Sequence, residues 1–334
     1  MMTEYKGVLI CGEVSDQKIT TVTSELLSTG WMLSDKLGEP LNLILIGQDI
    51  RDATQEAIHC GADKVYVADG SPFSESLPET YVNTIADVCK QINPMILLLG
   101  QTDMGRDVAP RLAAKLNSSV CLDCIKVDID PDTGKLLQTK PVYGGNALAI
   151  WKSTDCLLQI VTMRPRSSEP AQPDTGRQGE IISVSTTADD SAIRTTLIET
   201  VKEELKGISL EDAKVIVSGG GGIGGKEGFE LLQDLAQILR GAIGTSRVPC
   251  DEGWMPKKLE IGQTGHMVSP SLYIAIGISG APQHLAGCSG SKCIVAINRD
   301  PEAHIFQEAD FGIIGNYKEA LSSLIEKLKT ILQV

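Results

Sequence analysis

Residues 214–240, KVIVSGGGGIGGKEGFELLQDLAQILR, decide the fold. A short apolar run of strand length meets a glycine-rich turn, and a helical pattern follows over 225–240, the repeating unit of a parallel α/β sheet. Downstream, GAIGTSR, LEIGQTG, SLYIAIGIS, KCIVAIN and FGIIGN read as further strands. An amphipathic helix from Tyr317 closes the series, with Leu321, Leu324, Ile325, Leu328, Ile331 and Leu332 on its apolar face. Upstream, the apolar runs 8–11, 41–47, 64–68 and 95–100 alternate with helix-length stretches in the same rhythm. Between the first two runs, Leu26, Gly30, Leu33 and Leu37 recur at three- and four-residue spacing, and Gly38 then Pro40 end that helix. After a helix at 106–116 the texture changes to short β-like pieces with turn signals, from CLDCIKVDI to CLLQIVTM, which predicts antiparallel additions to the first domain. Residues 164–179, RPRSSEPAQPDTGRQG, predict an exposed excursion, and IISVS one more strand. A polar helical or linker pattern over 191–206 then leads into 208–212. The expected architecture is an N-terminal parallel-sheet domain with antiparallel additions over 1–205, followed by a second, doubly wound parallel-sheet domain over 206–334.

Composition agrees with two globular α/β domains. The 334 residues are 42% apolar and 22% charged, which suits neither a disordered nor a membrane-resident chain. The apolar runs are strand-length, far short of the roughly 20 residues that cross a bilayer, and the first segment, MMTEYKGVLICGEV, lacks a signal peptide's charged region and cleavage site. The chain reads as cytoplasmic. A net charge of −13, mostly carried by residues 1–200, repels phosphate backbones and disfavours nucleic acid as a partner. Nine scattered cysteines, an odd number, fit a reducing compartment. Cys121 and Cys124 form a C-x-x-C, but a zinc or iron–sulfur site needs about four ligands and no second pair stands nearby.

The polar residues of the second domain fall just after its apolar runs: Ser218, Ser246 with Arg247, Gln263 with Thr264, Ser279, Asn298 and Asn316. Open α/β sheets bind ligands along that carboxyl edge. Gly219, Gly221 and Gly224 match G-x-G-x-x-G, which keeps a self-contained NAD(P)-dependent dehydrogenase in play. Against it, glycines this dense match in almost any register, and no acidic residue ends a strand about 20 positions on. Arg247 is placed either to stabilise negative charge on a ligand or simply as a surface arginine. His284, in SGAPQHLAG, lies at a helix start beside Gln283. His59, His266 and His304 form no zinc-ligand spacing, and no G-x-S-x-G is present, so zinc and serine hydrolases are disfavoured.

Taken in order, VIVSGG, GTSR, GQTGHMVSPSLYIAIGISGAPQHLAG and KCIVAINRDPEAHIFQEADFGII closely resemble the alpha subunit of electron transfer flavoproteins, and MGRDVAPRLAAKL, PVYGGNALA and TMRP extend the likeness into the first domain. The resemblance implies a heterodimer with a beta subunit, packed against the first domain. It also implies an FAD held mainly by a mobile second domain, and electron exchange with acyl-CoA dehydrogenase-type partners. It implies that Arg247 lies beside the isoalloxazine, Thr264 near N5 and His284 near the O2 and N1 edge, with Ser246, Gln263, Ser279 and Gln283 around them. Asn298, Asn316 and the glycines Gly222, Gly265 and Gly280 serve the ribityl, phosphate or adenosine parts. Cationic and N–H donors along the N1 to O2 edge stabilise the negative charge that one-electron reduction places there. This chain departs from the family pattern at His266, at His304 and at Asn316, where aspartate is common. The resemblance leaves open whether the complex is a simple carrier or an NADH-dependent bifurcating one.

Overall fold

In the computed structural model, residues 5–73, 77–145, 147–153, 156–184, 195, 197–199, 208–210 and 213–332 are described. The boundary expected near 205, most of the polar pattern at 191–206, and residues 211 and 212 of the stretch at 208–212 lie outside them. The chain divides into two units, Met1–Val142 with Leu148–Val201, and Tyr143–Ala147 with Lys202–Val334.

The first unit runs β1 (Val8–Gly12), a small hairpin of β2 (Val14–Ser15) and β3 (Lys18–Ile19), α1 (Thr21–Leu37), β4 (Leu41–Gly47), α2 (Arg51–His59), β5 (Lys64–Asp69), α3 (Pro78–Ile92), β6 (Ile96–Gly100) and α4 (Asp103–Leu116). It continues through β7 (Ser119–Cys124), β8 (Lys126–Ile129), β9 (Leu136–Val142), β10 (Ala147–Lys152), β11 (Gln159–Met163) and β12 (Glu180–Ser183). Its main sheet has the order β12-β5-β4-β1-β6-β11-β7, with every paired neighbour parallel. Strands β1, β4 and β6 are buried at every position because helices cover both faces. Val8 and Ile10 face Leu26, Leu27 and Leu33 of α1, whereas Leu9 and Cys11 face the side held by α3 and α4. A Cβ on Gly30 would stand 2.7 Å from Ile10 Cδ1 and 2.8 Å from Leu41 Cδ1, so this glycine sets how closely α1 approaches the sheet. Gly38 ends α1 at φ 67°, as its C-cap role requires.

The antiparallel additions are narrower than expected. Apart from the β2–β3 hairpin, they are a small separate sheet in which β8 and β9 pair antiparallel with β10 beside β9, while β7, β11 and β12 extend the main sheet in parallel. Turn signals mark where strands stop but not which edge they join. The excursion at 164–179 is exposed only in its second half. Residues 164–171 are half-buried against α1, apart from exposed Glu169. The Arg166 N–H donates to Glu25 Oε2 (2.6 Å) and the Ala171 N–H to Ser24 O (3.1 Å). A polar segment can pack this way because its contacts are hydrogen bonds, which hydrophobic periodicity does not register.

The second unit carries β13 (Val215–Gly219), α5 (Gly228–Ile238), β14 (Ala242–Thr245), α6 (Arg247–Asp251), β15 (Leu272–Ile276), α7 (Pro282–Cys288), β16 (Ile294–Asn298), α8 (Ile305–Glu308), β17 (Phe311–Ile314) and α9 (Tyr317–Leu332). The order β14-β13-β15-β16-β17 is wholly parallel. Numbered within the unit this is 2-1-3-4-5, a doubly wound sheet whose connections reverse direction between β13 and β15. One face buries Phe229, Leu232 and Leu235 of α5 and Leu321 of α9; the other buries Ile261, Val268, Cys288 and Ile305. The apolar stripe of α9 stops at Leu328, leaving Ile331 and Leu332 exposed. LEIGQTG is not a strand: Glu260 and Ile261 make only single bridges, to Thr245 and His266.

Candidate functional site

The reversal between β13 and β15 places two loops side by side at the carboxyl edge of the second sheet. They are held by glycines. The Gly220 N–H donates to Ile276 O and the Gly222 N–H to Gly277 O, each at 2.9 Å. A Cβ on Gly222 would sit 2.9 Å from Gly277 Cα, one on Gly220 would collide with Gly277 O, and Gly277 itself has φ 60°. Gly224 and Gly225, at φ 81° and 158°, have open space where a side chain would project, so their backbone is accessible to a ligand.

The neighbouring strand end brings Ser246 and Arg247 to the same edge. Ser246 donates its N–H to Gly219 O (3.0 Å), and the fully buried Thr245 hydroxyl donates to that same carbonyl (3.0 Å). Arg247 opens α6 on the surface, 3.1 Å from Asp251, an exposed pair too weak to fix the guanidinium. Ser279 and Gln283 are exposed, and Gly280, at φ 85°, is buried where any side chain would strike the Ile305 backbone.

Gln263, Thr264 and Gly265 form a tight turn built on Glu260. This carboxylate is 3% exposed and accepts the Thr264 hydroxyl at 2.6 Å, while its carbonyl accepts the His266 N–H at 2.8 Å. Gly265 leaves no room for a side chain against the same carbonyl. The Gln263 N–H donates to Gln283 O (2.8 Å), tying this turn to the start of α7. Because the Thr264 proton is committed to Glu260, Thr264 Oγ1 presents acceptor lone pairs to anything that approaches it.

His284 lies in α7, close to its start. Its ring is buried, with Nδ1 2.8 Å from Ile261 O and Nε2 3.0 Å from Tyr273 Oη. A carbonyl only accepts, so Nδ1 carries the proton and Nε2 accepts from the tyrosine. Burial lowers the imidazole pKa to about 4 and raises the Tyr273 phenol well above its ordinary value. In this structure the neutral ring braces β15, the 261–266 turn and α7, with both nitrogens engaged internally. Ser218, read as an edge residue, is fully buried in β13, near Tyr273.

The two asparagines also have internal partners. Asn298 Nδ2 donates to Ile278 O (2.8 Å), and its Oδ1 accepts the Asp300 N–H (3.1 Å). Asn316 Oδ1 accepts the Lys318 N–H (3.0 Å) at the start of α9, a contact aspartate would make equally well. His304 is exposed and pairs with Gln307, away from the glycine loops in sequence. Thr245, Glu260 and Tyr273 are the residues that sequence reasoning passed over. Their only trace was a polar group at the margin of an apolar run.

The glycine loop does not behave as a nicotinamide phosphate loop. Eight residues separate Gly219 from α5, with a single 3-10 turn at Gly221–Ile223, and α5 begins behind Glu227 with Glu230 in its first turn. Negative charge there opposes an anion at that helix end. Among the described residues no group of three metal-ligating side chains occurs, and no helix is long and apolar enough to cross a membrane.

Fold and edge together define a two-unit α/β protein whose second sheet presents, at its switch point, close-packed backbone glycines beside a fringe of polar side chains and the exposed Arg247. Residues 8–189 match the model of the electron transfer flavoprotein domain, and 209–289 that of the electron transfer flavoprotein FAD-binding domain. Among curated relatives, the electron transfer flavoprotein subunit alpha of Thermoanaerobacterium thermosaccharolyticum is 42% identical over 330 residues, covering 99% of this chain and 100% of that one. That of Bacillus subtilis is 42% identical over 326 residues (98% of each), and the protein FixB of Clostridium saccharobutylicum is 38% identical over 331 residues (99% and 98%). This chain belongs to the electron transfer flavoprotein alpha-subunit family, its role is electron transfer, and its cofactor is FAD. The residues present fit that group: glycine backbone that a Cβ would obstruct, hydroxyl and amide groups, and the exposed guanidinium of Arg247.

Proposed function

We propose that this chain is the FAD-bearing half of a heterodimer with an electron transfer flavoprotein beta subunit, exchanging electrons with acyl-CoA dehydrogenase-type enzymes. The observation that carries the reading is the glycine-locked edge at the β13/β15 reversal, lined by Ser246, Arg247, Gln263, Thr264, Ser279 and Gln283. The flavin supplies the redox chemistry; the chain holds and tunes it. Arg247 turns from its surface pair with Asp251 toward negative charge on the ring. Thr264, its own proton held by Glu260, accepts a hydrogen bond at the position the resemblance gives to N5. His284 acts as a positioning residue for the backbone on either side of it. Asn298, Gly222, Gly265 and Gly280 fix the backbone along which the rest of the dinucleotide lies, and Asn316 caps α9 beside the adenosine end.

A partner subunit is also supported by the first unit. Strand β10 leaves Leu148, Ile150 and Trp151 exposed at 61%, 68% and 56%, large apolar side chains of the sort that protein partners cover. The test is an absorbance spectrum of this chain co-expressed with the product of its neighbouring gene, followed through stepwise dithionite reduction. One FAD per heterodimer, bleached reversibly, is the result expected of a simple carrier. Two flavins per heterodimer would mark a bifurcating complex, and a colourless heterodimer would overturn the reading.

A further inference from the structure

The first unit contains a pair of neighbouring thiols that the flavin site does not use. Cys121 and Cys124 lie on β7, the edge strand of the main sheet, with their sulfurs 3.5 Å apart. In a regular strand, residues three apart point to opposite faces. Here Asp123 takes a left-handed φ of 63°, and the pairing of β7 with β11 shifts register between Val161 and Met163. That kink turns the two thiols toward each other. It is held firmly: Arg164 clamps the Asp123 carboxylate through Nε (2.9 Å) and Nη2 (2.7 Å), and the Asp123 N–H donates to Thr162 Oγ1 (2.9 Å). Strained backbone fixed by this many contacts marks a functional feature more often than a neutral one.

We propose that Cys121 and Cys124 are a redox-active dithiol that exchanges reversibly with small disulfides of the glutathione class. Cys121 is half-buried and so within reach of such a reagent, whereas Cys124 is fully buried behind it. The Cys121 thiolate attacks one sulfur of the small disulfide, expelling the first thiol and forming a mixed disulfide. Cys124 then gives up its proton and attacks Cys121 Sγ, expelling the second thiol and closing the intramolecular bond. Two electrons and two protons pass from the pair to the reagent, which leaves as two thiols. Closing the sulfurs to about 2.0 Å needs side-chain rotation of roughly 1.5 Å.

The charges around the pair favour this division of labour. The hydrogen bond from the Cys124 thiol and the Lys140 ammonium on β9 bring the Cys121 thiol down to about 7, against burial and the Asp123 carboxylate. Cys124 is driven far up by donating to Cys121 and by burial. Arg164 neutralises Asp123, limiting its opposition to a thiolate. The half-buried thiol, lowered in pKa, is the attacker and the fully buried thiol, raised in pKa, resolves. No third metal-ligating side chain stands with them among the described residues.

The test uses the full chain with its flavin and any co-purifying subunit, incubated in oxidised and reduced glutathione, trapped with iodoacetamide and mapped by mass spectrometry. The expected product is a Cys121–Cys124 disulfide that dithiothreitol reverses. The half-buried Cys250 and Cys293, whose thiols are raised, should be modified at least tenfold more slowly at pH 7. The alkylation midpoint of Cys121 should lie below those of Cys250 and Cys293 and should rise in Cys124→Ala. Cys121 reacting no faster than Cys250, or a glutathione adduct at Cys121 that never closes onto Cys124, would overturn the proposal. The wild-type trapping alone decides if the variant fails to fold.

Discussion

His284 shows how a polar residue at a ligand edge can be spent on holding the edge together. Its folded pKa, about 4, lies below the ordinary 6.5 because burial penalises the imidazolium. A group with a depressed pKa contributes stability above its unfolded value, and that stability is lost as pH falls. Between pH 6.5 and 4 the unfolded chain binds a proton that the native ring refuses, which costs about 3 kcal/mol in all. His284→Gln should therefore lower unfolding free energy at pH 7 by about 1–3 kcal/mol and flatten the decline between pH 6.5 and 4. Chemical denaturation of both proteins at pH 7 and 4.5 checks it; parallel losses in the two would mean that the ring does not carry this titration. Glu260 holds the 262–266 turn by hydrogen bonds, its carboxylate accepting the Thr264 hydroxyl and its carbonyl the His266 N–H.

At the scale of elements, the glycine crossing is what the site depends on. Gly222→Ala places a methyl 2.9 Å from the Gly277 backbone, which cannot yield as a side-chain tip would. The loops must part, at a cost of about 1–3 kcal/mol, and flavin retention should fall at least tenfold while the far-ultraviolet circular dichroism stays that of the wild type. Equilibrium dialysis against free FAD measures this, and unchanged affinity would remove the crossing from the site. The strands that frame it were legible in the sequence because fully buried parallel strands leave continuous apolar runs, as at 215–217 and 272–276. Strand order was not, since apolar runs carry no record of their neighbours, and the position of β13 between β14 and β15 is what creates the switch point. LEIGQTG misled for a related reason. Its apolar Leu259 and Ile261 do pack in the core, yet Gly262, at φ 151°, and Gly265 fold the segment into a turn that makes only isolated bridges. The kink at Asp123 left no trace in periodicity either, because one left-handed residue changes which face a side chain takes without changing the residues themselves.

At the scale of the whole molecule, the two sheets share a mode of construction and divide the work. The first unit offers an exposed apolar strand, β10, and an acidic composition; the second offers a polar carboxyl edge that includes the exposed Arg247. The account stands or falls on where FAD binds. Hydrogen–deuterium exchange on the co-expressed complex, compared before and after removal of its flavin, tests that most directly. Protection by flavin should concentrate at residues 219–225, 245–248, 262–266 and 278–284, the segments that meet at the β13/β15 edge. Protection absent from those segments and gathered instead in the first unit would contradict it.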